Sequence, residues 1–211
     1  MKIAGVWMQD WVGQHKFPEG TRLLWNWSLN RKQYPEWDAM VADWKLDDVK
    51  AVVYLNPYLA DLKEFNIESE LFREGLERDF FVKTTANEVY FINSLSIRFA
   101  IIDLTNKDAC LWTKEIIKNK LVKEAGAAGW MHDFGEYLPF DAVLSDGSDP
   151  LEYHSRYVEV WANIAKEAIQ ELGMDDELFY FMRAGTATSP AKTSLFWMGD
   201  QLPTFDGIDG M

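Results

Sequence analysis

Several apolar runs in this chain end in polar side chains that could do chemistry. Gln9 and Asp10 follow the run 3–8, Asn56 closes 51–56, Asp133 and Glu136 stand at and beyond the end of 129–134, Arg183 ends 178–184, and Asp200 and Gln201 follow 195–198. Carboxyl groups beside an arginine and amides are the equipment of general acid–base and nucleophilic catalysis. In barrels of parallel strands, active groups sit at the C-terminal strand ends, and this rule selects the set without choosing arbitrarily among 34 acidic residues. A structural role competes at each position, since Asp133 could equally be a helix cap or a salt-bridged strand end. Period two places Met131 and Asp133 on one face of their strand and Trp130 and His132 on the other. If Asp133 points inward, His132 faces the helices and is expected to be a hydrogen-bonded packing residue rather than a base.

The elements that must position these groups alternate along the chain. The five runs are near-continuously apolar, as strands covered on both faces should be. Between them, Pro35 opens a predicted helix with Trp37, Met40, Val41 and Trp44 on one face. A second helix is capped within Thr105–Asp108, carries Leu111, Ile117, Leu121 and Val122, and stops before Gly126. A third is capped by Asp149, begins at Pro150, buries Tyr157, Trp161, Ile164, Ala165, Ala168 and Leu172, and ends at Gly173. The stretch 80–104 interrupts the alternation, reading as a β-hairpin that turns at Ala86–Asn87 and is inserted in a βα loop. About five βα units result, whereas a closed (β/α)8 barrel has eight strands and typically about 250 residues. The pattern therefore predicts one α/β domain over 1–211, either a partial TIM barrel or an open doubly wound sheet.

With 211 residues, 48% of them hydrophobic, the chain can build a sizeable core. A net charge of −13 argues against a nucleic-acid partner, which needs clustered Lys and Arg. One cysteine, Cys110, allows no internal disulfide, and the three histidines show no zinc-binding spacing. No apolar run is long enough for a membrane span and the first residues do not form a signal peptide, so a cytoplasmic setting is expected. Ten tryptophans suit sugar-binding walls, although a large aromatic core accounts for them as well.

The blocks GVWMQDW at 5–11, RLLWNW at 22–27, YLNPY at 54–58, GWMHDFGEYLP at 129–139, FMRAG at 181–185 and MGDQ at 198–201 resemble, in order, the motifs of glycoside hydrolase family 31. The match is strongest to its sulfoquinovosidase branch. The resemblance implies an α-retaining hydrolase on part of a (β/α)8 barrel, releasing sulfoquinovose from sulfolipid-derived glycosides. It maps the nucleophile to Asp133 and the general acid/base to Asp200. Arg22 matches the branch's sulfonate-binding arginine, Trp25 a tryptophan whose indole N–H donates to the same group, and Gln9 a glutamine holding a ring hydroxyl. Arg183 matches an arginine that bonds sugar hydroxyls, and it could brace Asp133. Glu136 reads as a supporting residue behind Asp133, with an exchange of roles between the two as the rival.

Retention requires carboxyl groups about 5–5.5 Å apart, one ionised and one protonated. The expectation is that donors such as Arg183 lower the Asp133 pKa, while its partner's charge and Trp197 raise that of Asp200. Taken alone, Arg22 could be a surface salt bridge and Trp25 a core residue. No metal or organic cofactor is called for. An α-glucosidase or α-xylosidase of the family, or a noncatalytic truncated barrel fragment, are the alternatives. The N-terminal β-sandwich and C-terminal barrel strands of the family are expected to be absent, leaving open edges through which copies can associate.

Overall fold

The structure, a computed structural model, describes residues 3–18, 20–94, 97–193, 195–202, 204 and 206. Strand β1 (Gly5–Trp7) is followed by the antiparallel hairpin β2 (Gln14–Phe17) and β3 (Gly20–Leu23), then helix α1 (Trp37–Leu46). Next come β4 (Lys50–Leu55), β5 (Tyr58–Ala60), α2 (Glu70–Glu77), β6 (Phe91–Ser94), β7 (Ile97–Ile101) and α3 (Lys107–Ile116). Helix α3 runs on in π-helical turns over Ile117–Glu124 and leads to β8 (Gly129–His132), α4 (Pro150–Leu172), β9 (Phe179–Met182) and β10 (Leu195–Phe196).

One parallel sheet takes the order β1-β4-β8-β9-β10, each strand beside the one before it in this series. A doubly wound sheet reverses direction at a switch point; this one does not, so its winding is that of a TIM barrel. Trp7 stands in register with Val52, Tyr54 with Met131, Met131 with Phe181, and Phe181 with Leu195. On a flat sheet three strand spacings of about 4.8 Å would separate Trp7 on β1 from Phe181 on β9. Their ring centroids lie only 5.8 Å apart, and Trp7 lies 5.5 Å from Trp197, so the sheet curls as a barrel wall does. It does not close among the described residues.

The outer face carries the alternate residues Val53, Leu55, Trp130, His132, Tyr180 and Met182, all buried. Helix α4 covers much of it. The Asp149 carboxylate accepts from Leu151 N–H at 2.9 Å, Pro150 occupies the first turn, and Gly173 ends the helix at φ +66°. Its buried stripe includes Tyr157, Trp161, Ile164, Ala165 and Ala168 as expected.

Two details differ from the sequence reading. Helix α3 is capped inside the expected segment, by Asn106, whose side chain accepts from Asp108 and Ala109 N–H, but Leu111 is exposed. Trp112 occupies the inward position, and a residue one place earlier is rotated by about 100° to the side. The turn at Ala86–Asn87 forms, closed by Asn87 N–H to Thr84 and by a Lys83–Val89 bridge, but the longer ladder lies beyond it. There β6 and β7 pair with each other, and β7 also pairs with β5, in a three-stranded antiparallel sheet.

His132 is a packing residue. The Trp130 indole N–H donates to Nδ1 at 3.1 Å, so the ring proton sits on Nε2 and donates to the Trp161 carbonyl at 2.8 Å. The imidazole stacks on the Trp161 ring at 3.6 Å, and burial pushes its pKa down to about 3. The unfolded chain therefore binds this proton first as pH falls. His132 contributes stability that is full above pH ~6.5 and is lost toward pH ~3, with a slope of at most about 1.4 kcal/mol per pH unit. Urea denaturation of the wild type and of His132→Phe across this window should show a shallower pH dependence in the variant.

Candidate active site

Strand pleating explains why the polar groups converge. Gln9 lies two residues beyond Trp7, Asp133 two beyond Met131, and Arg183 two beyond Phe181, so each continues the inward row past the strand tip. Asp133 is anchored from both sides of its peptide. Its N–H donates to Leu55 O at 2.8 Å, and its carbonyl accepts the Trp161 indole N–H at 3.1 Å. The chain then leaves the sheet through Phe134 at φ +60° and Gly135 at φ +112°. A bulky side chain in the left-handed region costs on the order of 1 kcal/mol or more, sustained only where surroundings fix it. Here it lays the Phe134 ring against the Arg183 guanidinium, 3.7 Å from its centroid.

Gln9, Arg22, Trp25, Asp133, Arg183 and Asp200 all line one cavity of about 380 Å³, with walls that include Trp7, Tyr54, Met131 and Trp197. Arg22 reaches it from the β2–β3 hairpin rather than from a strand tip of the parallel sheet. Glu136 does not line this cavity. It lies on an adjoining one of about 550 Å³ that shares Arg183, Trp197 and Asp200. Its Oε1 accepts from Arg183 Nε at 3.0 Å and Nη2 at 2.5 Å, while Oε2 is buried without a partner. The geometry therefore sets Asp133 in front of Arg183 and Glu136 behind it.

Asp133 is buried, and its two oxygens differ. Oδ2 accepts from the Tyr54 hydroxyl at 2.5 Å. Oδ1 has no hydrogen bond and faces Arg183 Nε at 3.3 Å in an ion pair. Burial, and to a smaller extent the Glu136 charge, push the Asp133 carboxyl above its ordinary pKa, while Tyr54, Arg183 and the Phe134 backbone N–H pull the other way. This corrects the expected lowering: desolvation outweighs the donors because the group is almost sealed from water. Asp200 is exposed.

Arg22 has no carboxylate within ion-pair distance among the described residues; its hydrogen bond is to the Thr21 carbonyl at 3.3 Å. Trp25 packs on Phe99 and Tyr58 while lining the cavity, and its indole N–H is buried and unpartnered. Asp10 points elsewhere, accepting from Gln14, Gln33 and Tyr34. Among the described residues no group of three His, Cys, Asp or Glu side chains could hold a metal ion. Tyr54 escaped the sequence reading because it precedes the end of its run; only the register Tyr54–Met131 places it one pleat below Asp133.

A family model described as the glycosyl hydrolases family 31 TIM-barrel domain matches residues 4–210. The chain is 34% identical over 211 residues to a sulfoquinovosidase of Escherichia coli and 32% identical over 210 residues to one of Agrobacterium fabrum. It spans 30% and 31% of their lengths, and both alignments cover 100% of this chain. A solved sulfoquinovosidase from E. rectale, in complex with an aza-sugar inhibitor, superposes with a TM-score of 0.86 at 36% identity, over 94% of this chain and 29% of that one.

Replacing Arg183 by Met removes both donors to Glu136 and the cation facing Asp133. Because the guanidinium is 32% exposed, the expected loss is about 1–3 kcal/mol, below the ~3–5 of a fully buried pair. Urea denaturation at neutral pH measures it, with Glu136→Gln expected to lose less.

Proposed function

This chain belongs to glycoside hydrolase family 31, and from that premise we propose that it carries the catalytic pair of a retaining α-glycosidase acting on α-sulfoquinovosides. The observation that carries the reading is that Asp133 and Asp200, from separate strand ends, line one cavity in which one oxygen of Asp133 has no hydrogen bond. In the first step that oxygen attacks the anomeric carbon as the bond to the leaving oxygen breaks, and Asp200 delivers its proton to that oxygen. In the second, Asp200 takes a proton from water, water attacks the anomeric carbon, and the bond to Asp133 breaks, with net retention.

Arg22 and Trp25 support the sulfonate half of the proposal. A guanidinium with no carboxylate in ion-pair distance among the described residues offers paired donors that fit a tetrahedral anion, and an unpartnered buried indole N–H costs about 1–3 kcal/mol until an acceptor reaches it. Gln9 fits a neutral partner for a ring hydroxyl where a carboxylate would repel the anion. Arg183 fits a donor to sugar hydroxyls that also braces Asp133. Glu136 fits the residue that orients Arg183.

The proposal takes 1–211 as one domain, a part of the catalytic barrel, whose reaction calls for no metal or organic cofactor. It has a cytoplasmic setting, with which the one cysteine is compatible. No helix among the described residues is long and apolar enough to cross a membrane. Among the described residues, strands β1 and β10 each pair on one side, and self-association through these edges belongs to the same reading.

An activated α-configured fluorosugar should add one sugar mass to the folded protein, at Asp133 by peptide mapping; an adduct at another residue would overturn the nucleophile assignment, and no adduct on a folded, monomeric sample would favour the noncatalytic barrel fragment. Aryl α-sulfoquinovoside should be hydrolysed in preference to aryl α-glucoside, and Arg22→Ala should erase about 10–100-fold of that preference. Since Asp133 must be ionised to attack, kcat/KM should fall as pH drops through its pKa. That acid limb is expected above the ordinary aspartate value because burial raises the carboxyl.

A further inference from the structure

A directed chain of hydrogen bonds ends on Asp133. The Tyr58 backbone N–H donates to Asn56 Oδ1 at 3.0 Å, which fixes the orientation of the amide. Asn56 Nδ2 must then present its hydrogens to the Tyr54 hydroxyl oxygen, 3.3 Å away. That hydroxyl has one proton, and with its acceptor side occupied it points to Asp133 Oδ2 at 2.5 Å. Tyr54 and Asn56 are 2% and 1% exposed, so water does not compete for either. Burial keeps the phenol protonated well above the ordinary tyrosine pKa, so it can only donate to the carboxylate.

We propose that Tyr54, oriented by Asn56, is the positioning residue for Asp133: it engages Oδ2 so that Oδ1 alone is presented to the anomeric carbon. The inference rests on the reading of Asp133 as the nucleophile. It gives each carboxylate oxygen one task, because Oδ1 is left with no hydrogen bond and faces the Arg183 cation at 3.3 Å. The charged and titratable groups around Asp133 are Tyr54 from β4, Arg183 from beyond β9, Glu136 from its own loop, and Asp200 across the cavity. Tyr54 donates a hydrogen bond to its carboxylate; Arg183 makes the ion pair, and the other two are acids.

Tyr54→Phe keeps the ring and deletes the donor; Asn56→Asp keeps the acceptor for Tyr58 N–H but replaces the donor to Tyr54 with a competitor for its proton. Two readouts apply to the full chain, each after circular dichroism has verified the fold. The first is carbon-13 titration of the Asp133 carboxyl, assigned by difference with Asp133→Asn. The second is the rate of adduct formation with an activated α-configured fluorosugar. Both variants should raise the Asp133 pKa by about one pH unit or more and slow labelling by about 10–100-fold. A packing role for Tyr54 would leave Tyr54→Phe unchanged in both readouts, and that result overturns the proposal, as does a raised pKa with an unaltered labelling rate. If the wild type is labelled at a residue other than Asp133, the nucleophile reading fails and the positioning role falls with it; if it is not labelled at all, the carbon-13 titration decides, and an Asp133 pKa unshifted in Tyr54→Phe overturns the proposal. If the wild type is labelled and Tyr54→Phe matches it, only the role of Tyr54 is lost.

Discussion

The constraint on which the rest of the molecule depends is the shared register of neighbouring parallel strands. Tyr54, Met131 and Phe181 lie in one row across β4, β8 and β9, and the pleat carries the next inward position of β8 and β9 past the sheet, to Asp133 and Arg183. A slip of one residue in β8 would turn Asp133 toward the helices and His132 toward the cavity. The opposite row resists that slip. His132 has both ring nitrogens bonded and is fully buried against Trp161, so an inward turn would abandon two hydrogen bonds and a stacked contact. The site is thus held in place from its outer side, by groups that never meet the cavity.

Burial and charge are balanced closely at Asp133. Almost complete removal from water favours the neutral acid, while a phenol donor and a guanidinium favour the anion. The guanidinium is itself restrained by Glu136 and by the Phe134 ring, whose left-handed backbone brings it over the cation. Each group therefore acts on the carboxylate through a geometry that another group fixes. The polar equipment on the far side is less confined: Gln9 and Asp200 are exposed.

The inner strands of the parallel sheet were legible because residues covered on both faces are apolar without interruption, as in 51–55 and 129–131, whereas the edge strands β1 and β10 are apolar but largely exposed. Caps made α4 legible to its ends, since Asp149, Pro150 and Gly173 each have one dominant use there. Strand order was not legible: it depends on pairing between distant segments, and the same alternation suits a barrel or a doubly wound sheet. Hairpin β2–β3 escaped because QHKF and GTRL are short and mostly polar, so Arg22 was reached only through motif resemblance. The direction of the Asp133 pKa escaped for a different reason. Donor identity can be read from residue types, but the degree of enclosure is set by every element around the group.

Trp161 shows where such a site is open to tuning. From the middle of α4 its indole N–H holds the carbonyl of Asp133, its ring stacks on His132, and its own carbonyl takes the His132 proton. The helix is therefore a third anchor of β8, beside its two neighbouring strands, as well as its cover. For protein engineers, diversity introduced into the outer layer of this fold is not neutral with respect to the cavity, and grafting a foreign helix at this place would detach the Asp133 backbone from its mooring while leaving every cavity-lining side chain as it was.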